Sequence, residues 1–170
     1  MNTDEDISIA PYDSHWAAWY REEVEQLRNV FPEAKFEHFG STSVPGLDAK
    51  PVVDILIGLA GALELSDEET SGLQRLGYEI LGTAGVPGRI YCRKRGGRSF
   101  NLAVTAHDSE LWRDNLRIRD YLRSHPDEAR RYAQHKWDAY RQGHRTLLAY
   151  SDYKTDFMSE LLRRAKTARE

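Results

Sequence analysis

The chain has 170 residues, 40% of them apolar and 30% charged, which are the proportions of a soluble globular protein. Its net charge of −3 argues against broad nucleic-acid binding, and its single cysteine, Cys92, excludes an intramolecular disulfide. No apolar run reaches the length of a membrane span, and residues 1–6 are acidic, unlike a signal peptide. We therefore expect one cytoplasmic domain over residues 1–170 with no membrane partner, in which residues 1–10 form a loose tail.

The first predicted element is a helix that Asp13 or Ser14 caps and that runs to about Val30. Apolar side chains recur along it at spacings of three and four, which is typical of a face packed on a core. They are Trp16, Tyr20, Val24 and Leu27. Trp16 and Trp19 could also form a ring-stacking site, but aromatic residues at helical spacing are more often part of a core. The acids on the other face fit a solvated surface: Glu22, Glu23 and Glu25.

Residues 36–59, FEHFGSTSVPGLDAKPVVDILIGL, have the pattern of a ligand site. Two apolar runs, residues 36–39 and 52–59, predict strands on either side of a small polar turn. Small residues let a backbone approach a ligand closely, and hydroxyls at the start of a short helical turn suit an anion. Five residues of this segment are candidates for binding it: Gly40, Ser41, Thr42, Ser43 and Lys50. Phosphate is the predicted ligand group.

The second of these strands carries one carboxylate, Asp54, within an apolar run. Since side chains alternate along a strand, Asp54 shares a face with Leu56 and Gly58. An unpaired charge buried there would be costly. We therefore expect Asp54 near an open strand end, where it bonds either loop amides or a cation.

The middle of the chain predicts a short helix and then a β-hairpin. Residues 66–69 fit a capping box, and Gly77 is placed to end the helix. After a brief strand at 78–81, residues 89–95 and 99–105 form the hairpin around Gly96-Gly97. The hairpin carries five basic residues without an intervening acid: Arg89, Arg93, Lys94, Arg95 and Arg98. They fit either a charged, solvated edge strand or a basic wall that faces bound phosphates, with Arg93 and Arg98 as candidate ligands.

The last third is predicted to be helical. Asp108 or Ser109 caps a helix that His125-Pro126 interrupts, and a second helix follows to about Gly143. A third helix begins near Ser151. The apolar residues of these helices predict a C-terminal cap on the sheet, and most of their charged residues fit a solvated surface.

The glycine, the hydroxyls and the later acid resemble two related groups of proteins. A Gly-Ser pair followed about a dozen residues later by an acid on a strand resembles the nucleotidyltransferase superfamily. The segment GSTSVPGLDAKPVVDI more narrowly resembles the GrpB family. Other stretches extend the resemblance over most of the chain: Tyr12 with Trp16, VPGR at 86–89, RDYLRSHP at 119–126, and Tyr150 with Lys154.

The resemblance implies an α+β, nucleotidyltransferase-like mixed sheet with flanking helices and a C-terminal helical cap. It further implies that Gly40 and Ser41 mark the phosphate-side turn and that Asp54 is the catalytic, metal-side acid. In the superfamily a second acid stands two residues beyond the first, where this chain has Leu56. A third metal ligand usually comes from a later strand, where this chain has Asn101 and Ala103. Asn101 could still bond a ligand.

Asp54 alone could hold a weak Mg²⁺ if substrate phosphates completed the metal's shell, but a two-metal mechanism needs more carboxylates. Three functions stay open: an Mg²⁺-dependent nucleotidyltransferase, a catalytically silent module that binds a nucleotide or phosphorylated metabolite, and a scaffold that binds a partner. A purely structural role for Asp54 also stays open. The spacing of Gly40 and Gly46 does not fit a Walker A motif, and no zinc-type histidine pair or GxSxG motif is present. Cys92 is more often packed than reactive in such a setting.

Overall fold

The structure, a computed structural model, describes residues 4–168. Its helices are α1 His15–Val30, α2 Asp67–Arg75, α3 Glu110–Ser124, α4 Pro126–Arg141 and α5 Leu147–Thr167. Its strands are β1 Lys35–Phe39, β2 Val52–Leu59, β3 Glu79–Ile80, β4 Ile90–Lys94 and β5 Ser99–Ala106. The strands form one sheet in the order β1-β2-β5-β4-β3. The predicted α+β class, with a mixed sheet, flanking helices and a C-terminal helical cap, is confirmed.

The two longest strands lie side by side at the centre of the sheet. β2 and β5 are parallel, whereas the other neighbouring pairs are antiparallel. Their register places Asp54 opposite Asn101, and Leu56 opposite Ala103. Because these four side chains project from one face, the sheet itself brings the predicted acid and amide together.

The opposite face of the sheet carries the main core. Val53, Ile55 and Ile57 are fully buried there against α1 and α2. Trp16 is 1% exposed and Trp19 packs against the same cluster, so the prediction that these rings belong to the core is confirmed. Cys92 is buried in this core as well, and burial raises the pKa of its thiol to about 12. It is a packed cysteine, as expected.

The C-terminal helices cover the face that bears Asp54. Trp112 of α3 packs on Leu56 and Ala103, and Leu122 joins a cluster with the loop residues Val44 and Leu47. The same cluster includes side chains from α4 and α5, namely Ala129, Tyr132 and Leu161. The cap is therefore fastened both to the sheet and to the loop between β1 and β2.

Most predicted helix ends agree with the structure. The capping box of Ser66 and Glu69 is formed, Ser109 caps α3, and Pro126 occupies the first turn of α4. The start of α5 differs, since the helix begins at Leu147, four residues before Ser151. Thr146 is the reason, because its hydroxyl accepts from the backbone N–H of Ala149 and caps the helix there.

Residues 4–10 are not loose as predicted. Ala10 pairs with Ala49, Asp6 forms a bridge with Thr146, and Glu5 forms an ion pair with Arg95. Met1–Thr3 lie outside the described residues. The N-terminal segment thus ties the loop before β2 to the start of α5.

Glu23, which was predicted on a solvated surface, is buried, and so is Lys136. Glu23 is 8% exposed and accepts hydrogen bonds from Tyr78 and Lys94, while Lys136 is 2% exposed. Within residues 4–168, no helix combines the length and the apolar character that crossing a bilayer requires.

Candidate functional site

A cavity of about 400 Å³ lies between the Asp54 face of the sheet and the C-terminal helical cap. Its floor is formed by β2 and β5, and one wall is the 3-10 turn of residues 41–43. α3, α4, α5 and the loop before β4 provide the remaining walls. The volume is within the range of small-molecule sites.

Gly40 sets the shape of the turn beside Asp54. Its φ of +67° and ψ of −172° belong to a region that is almost restricted to glycine. A Cβ built on Gly40 would stand 2.4 Å from Asp54 Oδ2. Glycine is therefore required for two reasons: the backbone conformation and the close approach of the carboxylate.

Asp54 lies against this turn with both oxygens closely surrounded. Its Oδ1 accepts a hydrogen bond from Asn101 Nδ2 at 3.0 Å, and its Oδ2 faces Gly40. Burial raises the pKa of the Asp54 carboxyl, while the charge of Lys50 acts in the opposite direction. The loop amides that we considered as partners are replaced by the side-chain amide of Asn101.

Asn101 is held by a chain of contacts that leads to the N-terminal segment. Its Oδ1 accepts from Tyr91 Oη at 2.9 Å and from the Arg95 guanidinium at 3.0 Å. Arg95 in turn donates to both carboxylate oxygens of Glu5, at 2.6 and 3.0 Å. These acceptor contacts point the amide nitrogen of Asn101 at Asp54, so Glu5 and Arg95 are positioning residues.

Four cations from four separate segments line the same cavity. Lys50 precedes β2, Arg89 precedes β4, Lys136 comes from α4 and Lys154 comes from α5. Among residues 4–168, none of these four forms an ion pair in the structure. Arg119 also lines the cavity, but Glu37 and Asp120 neutralise it.

The buried amine of Lys136 is held by neutral groups. Lys136 Nζ donates to Ser41 Oγ and, at 3.1 Å, to the backbone oxygen of Asp48. Burial holds the pKa of Lys136 well below its usual range, and the neighbouring charges of Lys154 and Lys50 lower it further. Burial likewise lowers the pKa of Lys50 to about 8, with Lys154 contributing. Burial therefore disfavours the charged form of both amines, and a bound anion would favour it.

Six of the predicted site residues line this cavity together: Gly40, Ser41, Thr42, Lys50, Asp54 and Asn101. The Thr42 hydroxyl contacts His38 Nε2 at 2.9 Å, and His38 is buried. The structure does not place Ser43 in the lining, because its hydroxyl donates back to the Gly40 carbonyl at 2.5 Å.

The basic residues of the hairpin do not all lie at the cavity. Arg89 lines the cavity, whereas Arg93 pairs with Glu79 on β3 and Arg98 pairs with Glu22 on α1. β4 is an inner strand of the sheet, so the edge-strand interpretation is wrong. Neither Arg93 nor Arg98 is among the residues that line the cavity.

Sequence reasoning missed Lys136 as a site residue and placed Lys154 only by family resemblance. One local signal existed for Lys136, which lies three and four residues from the apolar Ala133 and Tyr132 on α4. A lysine on the buried stripe of a helix needs a reason to be there. The pattern could not show which loop its amine would meet.

The carboxylates that surround a magnesium pair are not assembled here. Leu56 is fully buried beneath Ala103 and Trp112, and Asp54 is the one carboxylate among the described cavity residues. Residues 4–168 hold no group of three acids, histidines or cysteines suited to a metal ion. A lone carboxylate with one oxygen bonded to an amide and several amines nearby does not fit a resident Mg²⁺.

Fold and site together define an α+β protein with a cationic cavity between a mixed sheet and a helical cap. A family model described as GrpB protein matches residues 6–164. The match spans nearly the whole chain, so this chain belongs to the GrpB family.

Two curated relatives show how the chain compares in length. A UPF0157 protein of Streptomyces coelicolor is 32% identical over 167 residues, which cover 96% of this chain and 87% of that protein. A UPF0157 protein of Bacillus subtilis is 35% identical over 130 residues, covering 75% of this chain. The match covers 38% of the Bacillus protein, so this chain corresponds to well under half of that relative.

The similar solved structures include a protein of the same family and a more distantly similar transferase. The crystal structure of the conserved protein GrpB from Enterococcus faecalis has a TM-score of 0.81 and 30% identity, covering 96% of this chain and 100% of that one. Terminal uridylyl transferase 4 from Trypanosoma brucei with bound dUTP has a TM-score of 0.47 and 17% identity. That similarity covers 69% of this chain and 41% of the transferase.

Proposed function

We propose that this chain binds a nucleotide or another phosphorylated small molecule in the cavity beside Asp54, in the cytoplasm. One observation carries the proposal: Lys50, Lys136 and Lys154 converge there without an ion-pair partner among residues 4–168. Such amines are costly to bury unless an anion joins them. A bound phosphate would supply several acceptor oxygens for charge-assisted hydrogen bonds.

The cavity also has apolar lining residues that suit an organic group. Val86, Leu147, Leu148, Tyr150 and Met158 line it with apolar and aromatic surface. Leu148 is 51% exposed, the one large apolar side chain in the described part of the chain with such exposure. Covering it would add hydrophobic stabilisation to the charge interactions. A phosphorylated organic ligand therefore matches the lining better than inorganic phosphate alone.

We propose binding only, without nucleotidyl transfer. The resemblance to nucleotidyltransferases implies Mg²⁺ at Asp54, but the position of the second acid is occupied by Leu56, which is buried against Trp112. Binding needs only the residues that are present. A scaffold role without a small ligand is the alternative.

Thermal-shift measurements test the proposal on the full chain. We expect ADP, ATP and pyrophosphate to raise the melting temperature, and adenosine, which lacks a phosphate, to have little effect. Lys136→Met should abolish the shift, whereas the matched variant Lys35→Met, at an exposed position on β1, should retain it. No shift with any phosphorylated compound, or an equal shift in both variants, would refute the proposal and favour the scaffold.

A further inference from the structure

We propose that the cavity binds a polyanion, of the diphosphate or triphosphate class, directly through lysine amines that occupy the role magnesium has in nucleotidyltransferases. This inference rests on the proposed function and adds how the phosphates are held. Its basis is the arrangement of Lys50, Lys136 and Lys154 around Asp54 together with the apolar residues at the second-acid position.

The place of a second carboxylate is filled by packed apolar surface. Leu56 has no exposed area, Ala103 is 5% exposed, and the indole of Trp112 covers both. The Trp112 ring lies closely against Gly58, since a Cβ at that position would stand 2.8 Å from it. An acid cannot enter this position by a change of rotamer, so the carboxylate set cannot be completed from β2.

The remaining carboxylate is engaged by protein groups. Asn101 donates to Asp54 Oδ1, and the Gly40 turn closes on Oδ2. Asn101 is in turn fixed by Tyr91 and Arg95. Asp54 thus balances part of the lysine charge and keeps the floor of the cavity in place.

The charge of the lining sets the class of ligand. Lys50, Arg89, Lys136 and Lys154 carry four positive charges when protonated, and Asp54 carries one negative charge. A bound anion favours the ammonium forms of Lys50 and Lys136. The resulting excess of about three positive charges matches a nucleoside diphosphate or pyrophosphate better than a monophosphate. Ammonium groups bind phosphate as point charges with three donors each. They can therefore contact several phosphate oxygens without a bridging metal.

Lys136 is the best-placed of these donors. Its Nζ donates to Ser41 Oγ and to the backbone oxygen of Asp48, and it lies over the Tyr132 ring, 4.1 Å from the ring centroid. Little side-chain freedom is left to lose when an anion binds. The amine is therefore already positioned beside the Gly40 turn.

Isothermal titration with pyrophosphate, in EDTA and in excess Mg²⁺, separates direct binding from metal-dependent binding. We expect saturable binding in EDTA, with an affinity within about threefold of that measured with Mg²⁺. Lys154→Gln, at a partly exposed position on α5 that should tolerate the change, is expected to weaken binding in EDTA by about tenfold or more. Lys35→Gln is the matched control and should leave it unchanged.

Asp54→Asn should act differently if lysines hold the phosphates than if Mg²⁺ on Asp54 holds them. If lysines hold the phosphates, removal of the negative charge should leave pyrophosphate binding in EDTA unchanged or tighter. Binding that needs Mg²⁺ and disappears in Asp54→Asn would overturn this inference while leaving the proposed function in place. Absence of binding in both conditions would overturn both. Circular dichroism of each variant confirms that it is folded.

Discussion

The Asp54 carboxylate of β2 lies so close to Gly40 that a single added carbon cannot stand between them. A Cβ on Gly40 would be 2.4 Å from Asp54 Oδ2 and 3.0 Å from its Cγ. The turn that begins at Gly40 and the acid that follows fourteen residues later are thus one structural unit. The sequence resemblance to nucleotidyltransferases depends on the spacing between this glycine and this acid. In this chain the spacing brings the Gly40 turn into contact with the Asp54 carboxylate.

Gly40→Ala should destabilise the protein and weaken phosphate binding together. The backbone conformation alone would cost about 1–3 kcal/mol, and the clash with Asp54 adds to it. Gly46→Ala is the matched control, since Gly46 also has a positive φ of +80° but nothing within 4 Å of its added Cβ. Urea denaturation of both variants measures the difference. Equal losses of stability would show that the contact with Asp54 is unimportant.

Lys136→Met should separate stability from binding. Replacing a buried amine by a side chain of similar shape is often neutral or stabilising, so the free energy of unfolding without ligand should stay the same or increase. Pyrophosphate affinity should fall by about tenfold or more, because the amine beside Ser41 is lost. Chemical denaturation and titration calorimetry check the two effects. Reduced stability with unchanged affinity would indicate that Lys136 is structural.

Anion binding should weaken as the pH rises through about 8. The pKa of Lys50 is lowered to about 8 by burial and by Lys154, while Asp54 and Glu5 oppose this and Arg95 adds to it. A bound anion favours the ammonium form, so binding near pH 8 should take up protons. Calorimetry with ADP, whose phosphates are already ionised there, measures the uptake in buffers of different ionisation enthalpy. Lys50→Met should reduce this uptake, and Lys136 accounts for what remains because burial lowers its pKa as well. An uptake equal to that of the wild type would contradict the assignment to Lys50.

Lowering the pH should destabilise the protein through protonation of His38. Burial lowers the pKa of His38 to about 4, with Arg123 and Arg119 contributing, against an ordinary value of 6.5. The unfolded chain therefore binds more protons between pH 6.5 and 4, and stability should fall as the pH falls through that window, by roughly 3 kcal/mol in total.

His38→Gln is the variant for this test, because an amide can keep a hydrogen bond to Thr42 but does not titrate there. The free energy of unfolding of His38→Gln should depend less on pH than that of wild type between pH 6.5 and 4.5. Identical slopes would mean that His38 is not the group responsible.

The sequence predicted those parts of the fold and site that depend on neighbours along the chain. The strands around Gly40, the capping box at Ser66 and the hairpin all follow from local periodicity and turn chemistry. Asp54 and Asn101 could be proposed together because both lie on predicted strands. Their side-by-side register was beyond the pattern alone.

The residues that sequence reasoning misplaced are those whose partners are distant in the chain. Lys136 meets Ser41 across 95 positions, and Glu5 meets Arg95 across 90. Arg98 was considered a phosphate ligand, yet it pairs with Glu22 on α1. Charge and amphipathic spacing show which residues are unusual, whereas only the packing of helices on the sheet decides where a long side chain ends.

A crystal structure of the full chain grown with pyrophosphate would locate the bound anion. We expect phosphate density inside the cavity, within hydrogen-bonding distance of Lys136 Nζ and at least one of the amines of Lys50 and Lys154. Asp54 should remain bonded to Asn101. Density found only at other surfaces, or an anion joined to the protein through a metal on Asp54, would contradict direct binding by these amines.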